Sequence, residues 1–291
     1  FAIDTMKAFN TTGTCRPNEH YMVDITERLE IIRGMVAQGN YFCVNRGRQY
    51  GKTTTLAALA DFLKNDYCVF CISFEGLGDS SFAAVENVCA EFLKILKRHA
   101  RVNGSSEAMQ SLLKEVVPLG CKEIASTDFT EVIDELCTLS EKPVVVMIDE
   151  VDQASNNDGF IKFLGVLRNM FLSREMFKTF QSVILAGVYD IKNLKLKIRN
   201  EDEHQYNSPW NIAVPFDVDM RLSAEGIAGM LAEYKADHNL TFDEVFVGQM
   251  IRDYTAGYPF LVSRICQIID AEQYTWDKEG VLKVVNALLK E

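Results

Sequence analysis

The amino-acid sequence predicts an α/β fold, a three-layer αβα core on a parallel sheet followed by a small all-α lid. Three observations predict it. Short apolar runs rich in β-branched and aromatic residues alternate with helical patterns through most of the chain. Residues 144–148 are consecutive apolar residues, the pattern of a strand buried on both faces at the centre of a parallel sheet. After Pro215 only helical patterns follow. The core is therefore assigned to residues 1–217 and the lid to residues 218–291.

The elements follow in order. Residues up to Pro17 are polar and irregular. Leu29, Ile32 and Met35 recur at helical spacing, Asp24 and Glu27 have the separation of a capping box, and Gly39-Asn40 ends this helix. Residues 41–44 read as a short strand, 46–52 as a polar, glycine-bearing loop, 53–63 as a helix and 67–74 as a second strand. Residues 80–100 read as one helix, with Phe82, Val85, Val88, Phe92 and Leu96 on one face. Helices are expected near 105–117, 128–140 and 158–172, and a buried strand at 182–187. The lid helices fall at 223–238, 243–256, 258–274 and 277–290.

Composition narrows the function classes. Of 291 residues, 48% are hydrophobic and 24% charged, the balance of a folded chain rather than a disordered one. Thirty basic residues against 41 acidic ones give a net charge of −11, which opposes a broad nucleic-acid-coating surface and leaves a local basic groove open. The eight cysteines lie mostly within apolar runs and read as reduced, buried thiols of a cytoplasmic protein. Cys68 and Cys71 form a C-x-x-C without a second pair, and in a strand that spacing sends the two sulfurs to opposite faces. No run reaches the ~18 apolar residues of a membrane span. No secretion signal opens the chain, and it begins at Phe1 rather than Met, so it is read as cut from a longer protein.

The most informative stretch runs from Cys43 to Leu56. A strand enters a glycine-bearing loop, then Gly51-Lys52-Thr53, then a helix. This arrangement cradles phosphate: backbone N–H groups of Gly47, Arg48, Gln49, Tyr50, Gly51, Lys52, Thr53 and Thr54 converge on the anion. Lys52 reaches the β- and γ-phosphates, and the Thr53 hydroxyl serves Mg²⁺. The standard pattern has glycine five residues before Gly51; here that position is Arg46, and Gly47 follows one place later. The loop is expected to differ in shape, with Arg46 or Arg48 adding positive charge near the phosphates.

The second signal is residues 144–152, an apolar strand ending in Asp149-Glu150 with Asp152 beyond. Ligands of parallel sheets bind beyond the carboxyl ends of the strands, which brings Asp149 to the edge that carries Lys52. Asp149 holds Mg²⁺, directly or through water; Glu150 polarises the attacking water as general base; Asp152 caps or orients.

Together these residues resemble the P-loop NTPases with a glutamate beside the Mg²⁺-binding aspartate, the group that includes AAA+ and STAND ATPases. More closely, the chain resembles the bacterial AAA-like ATPase-domain proteins. Carrying stretches are residues 9–13, 20–24, 45–55, 73–76, 187–194, 208–213 and 257–264. The resemblance implies ATP as the nucleotide; no guanine-specific Asn-Lys-x-Asp occurs. Relatives often carry a C-terminal PD-(D/E)XK nuclease-like domain, absent from these 291 residues. It also implies that Tyr21, Met22 and Val23 pack on adenine. Gly257-Tyr258-Pro259 resembles a lid motif in which Pro259 touches the nucleotide, or is simply a helix–helix turn, and Arg264 resembles a lid arginine. The strand at 182–187 lacks the polar sensor residue of such ATPases, leaving Tyr189 and Asp190 as candidates. Arg168 and Arg174 are either exposed helix residues or an arginine finger acting on a neighbouring subunit of a homo-oligomer. Lys192, Lys195, Lys197 and Arg199 form a solvated loop or a contact with nucleic acid or a partner.

Three functions compete. The first is a Mg-ATP hydrolase that drives or gates a conformational change in an attached effector. The second is a slow-turnover, nucleotide-gated scaffold, favoured by the displaced loop glycine and the missing sensor. The third is a kinase-like phosphotransferase, against which Glu150 argues.

Overall fold

The six residues of Val144–Asp149 are all buried, which requires a packed layer on each face of the strand. The computed structural model describes residues 6–155, 157–188 and 209–290. In it this strand is β3, and it lies inside a four-stranded sheet of order β1-β4-β3-β2. The others are β1 (Phe42–Asn45), β2 (Cys68–Ser73) and β4 (Ser182–Gly187), and every pairing is parallel. Register aligns Asn45 with Gly187 and Ser73 with Asp149, so the four strands end at one edge. An isolated parallel bridge from Val214 to Phe42 adds a further pairing that the sequence did not announce.

The helices are α1 (Thr26–Ala37), α2 (Lys52–Leu63), α3 (Val85–His99), α4 (Glu107–Val116), α5 (Ser126–Leu139), α6 (Asp158–Leu172), α7 (Ala224–Asp237), α8 (Glu244–Thr255), α9 (Pro259–Ala271) and α10 (Lys278–Leu288). This is a mixed α/β, P-loop-like fold. Two expected boundaries are corrected. The helix expected over residues 80–100 is broken: a short 3-10 turn at Asp79–Phe82 precedes α3, and Ala84 between them is extended. Gly159 of α6 comes close at this break: an added Cβ would lie 2.3 Å from the Phe82 carbonyl oxygen. The expected capping box is an Asx turn instead: Asp24 Oδ1 accepts from the Thr26 N–H at 2.9 Å and from its hydroxyl at 2.6 Å, ahead of α1. These two bonds lower the Asp24 pKa.

The chain divides into two compact units. One comprises residues 31–47 and 56–217 and holds the sheet. Its core sets Phe70, Ile72, Val146, Ile148 and Leu185 against Phe92, Phe129, Phe160 and Phe163. Cys68 points into this core and Cys71 has the opposite parity on β2. The other unit comprises residues 1–30, 48–55 and 218–291. Its core is aromatic: Phe9 and Tyr21 from the N-terminal segment pack with Tyr234 and Trp276 of the helical bundle, Phe9 and Tyr234 with ring centroids 5.0 Å apart. No helix among the described residues is long and apolar enough to cross a membrane.

Candidate functional site

The loop comes first. Gln49 (φ 60°) and Gly51 (φ 74°) both adopt left-handed backbone, while Gly47 does not take a positive φ. The loop thus turns two and four residues after Gly47. Gly51 then starts the helix, its carbonyl accepting from the Thr55 N–H at 2.8 Å. Lys52 and Thr53 occupy the first turn of α2, Lys52 buried and Thr53 exposed. No acidic side chain belongs to that turn, and the start of a helix carries the positive end of its dipole and N–H groups without an intrahelical acceptor. This is chemistry suited to an anion.

Within the same unit other segments meet the loop. The Cys15 N–H donates to the Thr54 hydroxyl at 3.1 Å. Arg28 reaches the Thr55 hydroxyl and the Arg221 carbonyl, each at 3.4 Å, and burial lowers its pKa. From the start of α9, the Tyr258 hydroxyl donates to the Arg48 carbonyl at 2.9 Å and lies 3.3 Å from Gln49 Oε1. The Tyr50 and Tyr258 rings are 4.9 Å apart. Pro259 opens α9 at its first turn, and Arg264 donates to Gln267 at 2.8 Å.

Tyr21 is positioned differently from Met22 and Val23. Its ring is buried among Phe9 and Tyr234, and its hydroxyl donates to Asp237 at 3.0 Å. Burial, then Asp237, raises its pKa. Met22 and Val23 stay partly exposed. Val23 packs so closely on α7 that a Cβ at Gly226 would lie 2.5 Å from it.

In the sheet unit, the acidic pair ends β3. Asp149 is buried, and its Oδ1 accepts from the Glu150 N–H at 2.9 Å. Glu150 takes φ 55°, which turns the chain off the strand into the short 3-10 turn Val151–Gln153. A left-handed non-glycine residue at this place is strain of the kind that collects at functional sites. Asp152 follows in that turn and reaches the end of β4: its Oδ2 accepts from the Val188 N–H at 2.7 Å. A Cβ at Gly187 would lie 2.8 Å from the Asp152 carboxylate. The strand end that lacks a polar side chain of its own is thus supplied with one from the turn after β3, a contact that no spacing in the sequence signals.

The Arg46 guanidinium donates to its neighbour's carbonyl at Asn45 (3.0 Å) and to the Phe216 carbonyl (3.1 Å), over the Phe216 ring. Arg168 donates to Asn211 at 2.8 Å, and Arg174 donates to Gly39 at 3.0 Å over the Phe171 ring. Tyr189, Asp190, Lys192, Lys195, Lys197 and Arg199 lie outside the described residues. A cavity of about 540 Å³ opens at the opposite edge of the sheet, where Lys142, Val144 and Gln181 line it, and contains no loop residue.

The fold is thus a parallel α/β, P-loop-like one. Among solved structures the chain is similar to the Aeropyrum pernix ORC2 protein in its ADP form, with TM-score 0.51 and 10% identity over 96% of this chain and 71% of that one. The same protein in ADPNP-ADP complexes aligns with TM-score 0.50 and 11% identity over 96% and 70%. The Aeropyrum pernix ORC1 protein in complex with DNA aligns at 0.49 and 10% over 92% and 66%, so the chain spans about two thirds of that relative's length. At these identities the likeness is one of fold. Comparison with protein-family models and with curated proteins finds no match.

Proposed function

We propose that the chain is a Mg-ATP-binding ATPase module, with residues 1–217 as core and 218–291 as helical lid, that couples nucleotide turnover to a conformational change in an attached effector or partner. One observation carries the reading: the turn at Gln49 and Gly51 that delivers Lys52 and Thr53 to the first turn of α2. The ADP form and the ADPNP-ADP complexes of the ORC2 protein agree with an adenine nucleotide.

In this reading the N–H groups of residues 47–54 and the Lys52 ammonium bind the phosphates. Met22, Val23 and Pro259 contact the base, with Tyr21 as the buried anchor of that segment. The residues present fit Mg²⁺: a hydroxyl at Thr53 and a carboxylate at Asp149 suit an ion that keeps waters and phosphate oxygens as ligands. Among the described residues no group of three or more His, Cys, Asp or Glu gathers, as an all-protein cage would need. When bound, Mg²⁺ neutralises charge developing on the phosphates. Glu150 accepts a proton from the attacking water, and Asp152 positions the turn that carries Glu150. A bacterial source, a nuclease-like C-terminal domain and a homo-oligomer belong to the same proposal.

The test is single-turnover hydrolysis with Glu150→Gln. The module reading expects binding retained and the chemical step slowed at least about 100-fold. The slow scaffold is the second reading, supported by Arg46 in place of the loop glycine and by Gly187 at the end of β4. Negligible Glu150-dependent turnover in a parent protein that binds ATP selects it.

A further inference from the structure

We infer that Tyr258 is a positioning residue of the phosphate loop, coupling α9 to that loop through its hydroxyl and setting how long a nucleotide stays bound. The inference rests on the nucleotide-site reading above and assigns a residue that reading does not use.

The backbone of Tyr258 is fixed from both sides. Ala256 (φ 51°) and Gly257 (φ 75°) are consecutive left-handed residues closing α8. The Gly257 carbonyl accepts from the Leu222 N–H at 2.8 Å, and the Tyr258 N–H donates to Thr255 at 3.0 Å. Pro259 then locks the entry into α9. A tyrosine has two side-chain torsions, so such a backbone leaves its hydroxyl little freedom.

That hydroxyl meets the loop where the loop is strained. Gln49 is left-handed without being glycine, and such conformations persist when their surroundings over-determine them. Tyr258 supplies that determination: the Arg48 carbonyl at 2.9 Å, the Gln49 side chain at 3.3 Å, and the ring of Tyr50 at 4.9 Å. In a planar trans peptide the carbonyl of one residue and the N–H of the next point in opposite directions. Holding the Arg48 carbonyl on the tyrosine therefore aims the Gln49 N–H away from the lid residue and leaves it free of that bond for an anion. The hydroxyl carries one proton, and the shorter contact identifies the Arg48 carbonyl as its main acceptor.

The test compares the parent with Tyr258→Phe, which keeps the ring against Tyr50 and removes the hydroxyl. Release of fluorescent ADP and ATP is followed by stopped flow, and each variant's denaturation midpoint establishes that it is folded. Loss of one hydrogen bond is expected to speed release roughly two- to twelve-fold. It should raise KM while the single-turnover chemical step stays within about twofold of the parent. Tyr258→Ala should release at least as fast. Unchanged release in a Tyr258→Phe protein whose parent binds nucleotide overturns the inference alone. A parent that binds no nucleotide overturns the site reading and the inference together.

Discussion

An alanine at residue 257 would place its methyl carbon 2.2 Å from the Leu222 carbonyl oxygen and 3.0 Å from the Leu222 nitrogen. Both are backbone atoms, and neither can swing aside as a side chain would. The Leu222 N–H to Gly257 carbonyl bond of 2.8 Å ties the two segments together at this crossing. The backbone at 257 also has φ 75°. Left-handed geometry costs a residue with a Cβ about 1–2 kcal/mol. Overpacking against a fixed neighbour adds about 1–3 kcal/mol. Gly257→Ala is therefore expected to lose about 2–5 kcal/mol, a large share of the ~5–15 kcal/mol that holds a typical domain. The assay is urea denaturation followed by tryptophan fluorescence, since Trp276 sits in the core of the same unit. Gly229→Ala is the control: it lies within α7, and its new Cβ would meet nothing within 4 Å. It should gain about 0.5–1 kcal/mol from helix propensity. A Gly257→Ala protein within about 0.5 kcal/mol of the parent would refute the steric argument and the rigid placement of Tyr258 built on it.

Further outcomes follow from the same contacts. Asp152→Ala should destabilise by about 1–2 kcal/mol, because the Val188 N–H loses its acceptor, and Asp152→Asn by less; equal midpoints for parent and Asp152→Ala would reject the bridge between β3 and β4. Gly159→Ala forces a methyl against the Phe82 and Ala84 backbone and should cost about 1–3 kcal/mol, measured in the same way. Burial pushes the Cys89 and Cys137 thiols up to about 12 and the Cys71 thiol to about 11, from 9.0. Raised folded-state values mean their contribution is complete below pH 9 and declines as pH climbs from there towards 12. The urea midpoint should consequently fall between pH 8 and pH 10.5, and a constant midpoint contradicts it.

The strands were legible because a strand buried on both faces must be apolar throughout, as Val144–Asp149 nearly is. The helix break before α3 was not, since Phe82 and Val85 keep helical spacing while the break lies where Gly159 of another helix approaches the Phe82 and Ala84 backbone. Asp24 misled because an Asx turn and a capping box both want aspartate just before a helix. The step from loop into helix was legible from Gly51-Lys52-Thr53, and α2 begins at Lys52. The shape of the loop was not: the left-handed residue is Gln49, which composition does not mark, and Arg46 turns to Phe216, 170 residues away in sequence. Tyr21 looked like a surface for adenine, yet its ring belongs to an aromatic core assembled from Phe9, Tyr234 and Trp276, whose meeting depends on tertiary structure. Asp152 and Tyr258 act through backbone groups of other segments, and backbone contacts leave no residue-type signature.

The central claim is that the loop carrying Lys52 binds the phosphates of a nucleotide. Titration calorimetry of Mg-ATP into the parent and into Lys52→Ala tests it most directly. Loss of a charge-assisted contact worth about 1.5–3 kcal/mol should weaken binding roughly 10- to 150-fold while the denaturation midpoint of the variant shows it folded. Equal affinity in the two proteins, or no binding by the parent, would contradict the account.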